Sequence, residues 1–252
     1  MSRNAILRGI VGIAVSAIAI YLLVRSVDLA ATLDVLRTAA PIWIALMLVT
    51  ASVDLGARAA RWQILLGPIA RLPYRRVLGY TYIGYLANNV LPARLGELYR
   101  SHALGEGEGI SRPTVLGTVV VERIVDTVMV VAIAAAAVVV LSVRGVIANA
   151  VILGFAFVTL LVVALGVGMA AHRLPGAERI VALAERWPLV LELARRLRQG
   201  LAVASRPRTL VGALAFSAVA WAASITTFLA AGQAIGIELT LAQAALMTSG
   251  VA

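Results

Sequence analysis

Three groups of ionisable residues interrupt an otherwise apolar chain, and the spacing within each group puts its members on one side of a helix. Asp54, Arg58 and Arg61 follow one another at steps of four and three, and Arg94, Glu97 and Arg100 at steps of three. Glu122 and Asp126 stand four apart, with Arg123 three before Asp126. A guanidinium is a planar donor fork that matches phosphate oxygens, so each group could hold a phosphorylated headgroup. Carboxylates beside it could fix those arginines, bind a cationic headgroup or carry protons. The same spacings also fit plainer arrangements. Asp54 could pair with Arg58 while Arg61 snorkels to the headgroups. The Arg94–Glu97–Arg100 stripe could pair with itself, and Glu122–Asp126 could fasten its helix to the arginines of the second group. Arg58 is the better phosphate candidate of the first group.

The second group is preceded by Asn88, Asn89 and the dipeptide Leu91-Pro92. Proline stops a helix at the residue before it, so a new helix starting near Arg94 would present its amino end, which favours phosphate. Gly96 permits close backbone approach there. Other chemistry is poorly supplied. The chain has no Cys and only two His, His102 and His172, each standing alone, so thiolate chemistry is excluded and neither a metal nor a cofactor is expected. The Gly-Glu-Gly-Glu-Gly run at 105–109 lacks calcium-loop spacing and reads as a flexible turn.

The elements that position these groups must be membrane helices. Hydrophobic residues make up 62% of the chain and charged residues 13%, against about 45–50% and 25% in a soluble domain, and the mean hydropathy is +0.97. Crossing about 30 Å of hydrocarbon takes roughly 20 apolar residues in a helix. Ala5–Val24, Pro41–Leu66, Thr114–Leu141, Val146–Ala171 and Thr209–Ile235 meet that length. The net charge of +10 comes from arginine alone, with no lysine. In a membrane protein such charge belongs to cytoplasmic loops, and nucleic acid is not an expected partner. The carboxyl-terminal stretch 239–252 begins like another helix, and the chain is expected to be incomplete there.

Loop charges set the expected topology. Five arginines between Arg58 and Arg76 and eight between Arg173 and Arg208 both fall on the cytoplasmic side only if Val77–Leu91 enters and returns. The fold expected is therefore an all-α polytopic bundle with a re-entrant helical segment and a cytoplasmic amino terminus. Non-helical backbone at that depth must line a cavity or be buried in protein. Residues 176–208 have helical period with arginines interspersed, broken or kinked at Pro188. They could be an interfacial helix on anionic lipid or a solvated linker.

Taken in order, Arg58-x-x-Arg61-Trp62, then N-N-x-L-P-x-R-x-G-E-x-x-R from Asn88 to Arg100, then Glu122-Arg123-x-x-Asp126 resembles the lysylphosphatidylglycerol synthase transmembrane-region family, or flippase-like domain family. The resemblance spans essentially the whole chain, 1–252, as a single domain. It implies an inner-membrane bundle of about eight helices that binds or moves phospho-headgroup lipids, of aminoacyl-phospholipid or polyprenyl-phosphate type, between leaflets. The implied headgroup site comprises Arg58, Arg61, Asn88, Asn89, Pro92, Arg94, Gly96, Glu97, Arg100, Glu122, Arg123 and Asp126. The implied partners are membrane phospholipids or lipid-linked intermediates, and a separate lipid-modifying enzyme. Two departures stand out: no soluble aminoacyl-transferase domain is present, so no enzyme activity is expected, and the family's later Pro-Gly-Gly and Glu region is not reached. The alternatives are a membrane subunit of a lipid-modifying system and an intramembrane enzyme with Glu122 or Asp126 as base.

Overall fold

The computed structural model describes residues 39–90, 95–170 and 188–251, together with Tyr21, Arg25 and Arg37. Residues 91–94, residues 171–187 and most of the first candidate span lie outside the described residues. Those described form helices and no strands: α1 (Pro41–Leu66), α2 (Tyr74–Val90), α3 (Gly96–Gly107), α4 (Arg112–Val140), α5 (Val146–Ala170), α6 (Pro188–Leu201), α7 (Pro207–Ala234) and α8 (Leu241–Val251), with a 3₁₀ turn at Ala202–Ser205.

Three of these, α1, α4 and α7, are long and apolar enough to cross a membrane. Each starts with proline in its first turn, at Pro41, Pro113 and Pro207, where the missing amide proton costs no helical hydrogen bond. With 26, 29 and 28 residues they measure about 39–44 Å at 1.5 Å per residue, longer than the roughly 30 Å hydrocarbon core. Ile42, Leu48, Val49 and Val53 of α1 and Ile152, Leu153, Phe155 and Phe157 of α5 point outward and exposed, as side chains facing lipid tails do. The chain is a multi-pass membrane protein.

Helix α1 runs antiparallel to both of its long neighbours. Against α7, the Thr50 and Thr227 hydroxyls share a 2.7 Å hydrogen bond, Arg61 reaches Ser217, and Ile64 packs on Gly212. Against α4, Trp62 Nε1 donates to Thr118 Oγ1 at 3.1 Å, and Arg58 lies 3.7 Å from Asp126. The carboxyl end of α1 and the amino ends of α4 and α7 therefore share one end of the bundle. That end carries Arg71, Arg75, Arg76, Arg112, Arg206 and Arg208, whereas the opposite turns at 141–145 and 235–240 carry one Arg144 and one Glu238. Loop counting anticipated this asymmetry, and the helix directions now account for it.

Helices α2 and α3 form an antiparallel hairpin. Gly84 packs on Arg100, Gly107 on Tyr80, and Arg76 reaches Glu108 at 2.9 Å. The base of the hairpin sits at the arginine-rich end, where Val77 and Leu104 join Trp62, Leu65, Leu66 and Val115 in the main apolar core. Its tip lies beside the middle of α1 and α4. Both ends of the hairpin thus lie at one end of the bundle, and Tyr74–Val90 is one unbroken 17-residue helix. The glycine run expected to be a flexible turn is shorter than read. Helix α3 continues through Gly107, with Glu106 paired to Arg112 and Glu108 to Arg76, and only Gly109 (φ +66°) takes the left-handed conformation.

Helix α6 starts at Pro188 and docks on α4 through a glycine pair. A Cβ built on Gly200 would stand 2.7 Å from Gly117 Cα. Arg195 and Arg196 face outward, Arg196 pairing with Glu192 at 2.6 Å. In this part the 176–208 connection is a packed element of the bundle.

Candidate functional site

Asp54 stands at the middle of α1, Asp126 at the middle of α4 and Trp221 at the middle of α7. All three line one partly open cavity of about 630 Å³, together with Gly84, Tyr85, Asn88 and Asn89 of α2, Glu97 and Arg100 of α3, and Arg58, Arg123, Thr127, Val130 and Val251. A single ionised side chain at bilayer centre costs about 2.5–3.5 kcal/mol even on the lenient insertion scale. A cluster at this depth therefore survives only with its charges compensated.

Compensation is nearly one for one. Arg61, with no exposed surface, is held by Glu122 at 2.8 Å, by both oxygens of Asp126 and by Ser217 at 2.9 Å. Glu122, likewise buried, also accepts from Arg100 at 2.7 Å and Arg123 at 3.1 Å. Arg123 spreads further, to Asp126 at 2.9 Å and to Glu97 on the hairpin at 3.2 Å. Arg58 pairs with Asp54 at 2.8 Å. Two aromatic faces complete the set: the Arg100 guanidinium lies 4.5 Å from the Trp62 ring centre and that of Arg58 lies 5.7 Å from Trp221, contacts that gain strength when desolvated.

Two layers result. The inner layer of Arg61, Glu122 and Ser217 is sealed and, with Asp126 at the cavity wall, ties α1, α4 and α7 together. The outer layer, facing the cavity, consists of Arg58 with Asp54 and Arg123 with Glu97. Arg123 is 40% exposed and Glu97 26%, so this pair is the wettest in the cluster. Arg100 belongs to both layers, lining the cavity while its guanidinium pairs inward.

Of the residues read from sequence, Arg58, Asn88, Asn89, Glu97, Arg100, Arg123 and Asp126 come together around the cavity. Glu122 and Arg61 lie behind its wall. Arg61 does not snorkel: its side chain turns into the bundle because two carboxylates of α4 wait there. Gly96 serves the hairpin, since a Cβ on it would collide with Gly84 O and stand 2.6 Å from Asn88 N, and its own amide donates to Asn88 Oδ1 at 2.8 Å. The first amide of α3 is thereby taken by Asn88. Pro92 and Arg94 lie outside the described residues.

Sequence reasoning missed Ser217, Tyr85 and Trp221. Ser217 and Trp221 sit in an apolar run with no charge to flag them, and Tyr85 is one of several tyrosines in α2. A signal did exist: Ser217 and Trp221 are four apart, which puts the polar atoms of α7 on one face. Among the described residues no group of His, Asp or Glu is arranged to hold a metal.

No curated protein and no solved structure matches the chain. A family model does match, over residues 9–252. A bundle of apolar helices around a charged mid-depth cluster, together with a match of that extent, identifies this lipid-related membrane protein as a member of the family described as the lysylphosphatidylglycerol synthase TM region.

Proposed function

We propose that this protein binds phospho-headgroup lipids, of aminoacyl-phospholipid or polyprenyl-phosphate type, in the mid-depth cavity and passes them between the leaflets of the inner membrane. One observation carries the reading: a cavity of about 630 Å³ with charged walls lies level with the middle of all three spanning helices. A structural ion-pair cluster needs no such space. A headgroup crossing the bilayer does, because its charge must be matched at the depth where lipid cannot match it.

The roles follow from the two layers. Arg58 and Arg123 face the cavity with guanidinium donors for phosphate oxygens, and Asp54 and Glu97 can receive an ammonium group if the headgroup carries one. Arg61, Glu122 and Asp126 hold the three spanning helices in register. The exposed faces of the hairpin, with Tyr82, Ile83 and Leu86 on α2 and Leu98 and Tyr99 on α3, suit contact with lipid tails, so the hairpin re-enters the membrane from the arginine-rich side. By the charge rule that side is cytoplasmic, which also puts the amino terminus in the cytoplasm.

Binding of short-chain phospholipids to purified protein tests the reading. Arg58→Ala combined with Arg123→Ala should weaken binding of dioctanoylphosphatidylglycerol at least tenfold, since hydrogen bonds to charged groups contribute about 1.5–3 kcal/mol each. Unchanged affinity would overturn the proposal.

A further inference from the structure

Charge counting in the cluster leads one step beyond lipid binding, and the step rests on the headgroup reading above. Among the described residues the cluster holds four arginines, Arg58, Arg61, Arg100 and Arg123, and four carboxylates, Asp54, Glu97, Glu122 and Asp126. It is neutral as it stands. A phosphodiester that enters alone brings one negative charge to the depth of the spanning helices' middle, where an uncompensated charge is costly.

We infer that binding of an anionic phospholipid takes up one proton, and that Asp54 receives it. Phosphate oxygens draw Arg58 away from Asp54, the carboxylate left behind binds a proton from solution, and the loaded cavity is neutral again. The balance is simple: an Arg58–Asp54 ion pair, a phosphodiester anion and one proton become an Arg58–phosphate pair and a neutral carboxylic acid. No other bond forms or breaks.

The choice of Asp54 rests on its surroundings. Glu122 keeps Arg61 and Arg100 whatever happens in the cavity, and Asp126 keeps Arg61 and Arg123. Glu97 is more open to water and can stay ionised by hydration. Asp54 has a single arginine, Arg58 at 2.8 Å. Its other neighbours offer no replacement cation: Ser224 on α7 is uncharged and Asp126 on α4 carries a like charge. Tyr85 on α2 and Trp221 on α7 line the same space without a charge, while Arg100 on α3 pairs with Glu122 and Arg123 on α4 is shared among Glu97, Glu122 and Asp126. The neighbouring Val251 on α8 is apolar.

A headgroup that carries its own ammonium group needs no proton, and this difference makes the test. Purified protein in weakly buffered detergent solution is titrated with dioctanoylphosphatidylglycerol or with zwitterionic dioctanoylphosphatidylethanolamine while a pH indicator follows free protons. About one proton should be taken up per phosphatidylglycerol bound and none per phosphatidylethanolamine. Since uptake of one proton links affinity to pH, phosphatidylglycerol affinity should fall by up to tenfold per pH unit as pH rises. In Asp54→Asn both the uptake and the pH dependence should vanish. Phosphatidylglycerol binding without uptake in the unaltered protein would overturn the inference and leave the headgroup reading intact. It would mean that a cation such as Arg94, outside the described residues, supplies the charge. Undiminished uptake in Asp54→Asn would equally overturn it, by moving the proton elsewhere. Failure to bind either lipid would remove the headgroup reading itself.

Discussion

Replacing Arg61 by Met keeps most of the side chain's volume but deletes the cation at the centre of the inner layer. Arg61 is completely buried and contacts Glu122, Asp126 and Ser217, so its removal leaves two carboxylates of α4 facing an apolar side chain. Breaking a buried pair costs about 3–5 kcal/mol. Glu122 retains Arg100 and Arg123, and Asp126 retains Arg123, which argues for the low end, about 3 kcal/mol. For a chain of this size that corresponds to a fall in melting temperature of about 6–12 °C, measurable by thermal unfolding of the purified protein in detergent. Charge balance predicts a rescue. Adding Asp126→Asn to Arg61→Met removes the surplus negative charge, so the double variant should be more stable than Arg61→Met alone. Residues in one ion-pair network couple by about 0.5–3 kcal/mol. A fall of under 2 °C in the single variant, or simple addition of the two losses in the double, would refute the two-layer account of the cluster.

Further outcomes follow from the packing. Gly96→Ala should destabilise the hairpin by about 1–3 kcal/mol, the usual cost of overpacking, because its Cβ would collide with Gly84 and Asn88; thermal unfolding in detergent reads this, and Leu98→Ala on the exposed face of α3 should show no comparable loss. Gly200→Ala should loosen α6 from α4, seen as faster proteolysis within 188–206 while the rest of the chain stays protected. Trp62→Phe removes a 3.1 Å hydrogen bond to Thr118 and should cost about 1 kcal/mol. Thr118→Val on top of it should add little, as a double-variant cycle in the same unfolding assay can show.

The three spanning helices were legible from apolar length alone. Pro41–Leu66 was read with the bounds it has in the structure, and α4, α5 and α7 within two residues, because about 30 Å of hydrocarbon imposes its own ruler. Which residues carry charge into the bundle was equally plain. What single-helix spacing could not show is where a side chain turns. Arg61 reads as a snorkelling residue near a helix end until the two carboxylates of α4 are placed beside it, a contact that depends on the packing of helices 60 residues apart in sequence. The same limit hid Ser217 and Trp221, which only the α1–α7 interface brings to the cluster. Gly96 was read as a point of close approach at a phosphate-binding helix end, and the backbone that comes close to it is Gly84 of the other hairpin arm. Counting arginines loop by loop favours re-entry of Val77–Leu91, and the contacts between α2 and α3 give an antiparallel hairpin with its base at the arginine-rich end.

Leaflet-resolved movement of a labelled phospholipid in vesicles bearing the purified protein tests the central claim most directly. Unaltered protein should move the lipid between leaflets faster than protein-free vesicles. Arg58→Ala with Arg123→Ala, which empties the cavity wall of its outward-facing cations and leaves the sealed Arg61 layer in place, should return the rate to the protein-free level. An unaltered rate in that variant, with its fold confirmed by thermal unfolding, would contradict a lipid path through this cavity.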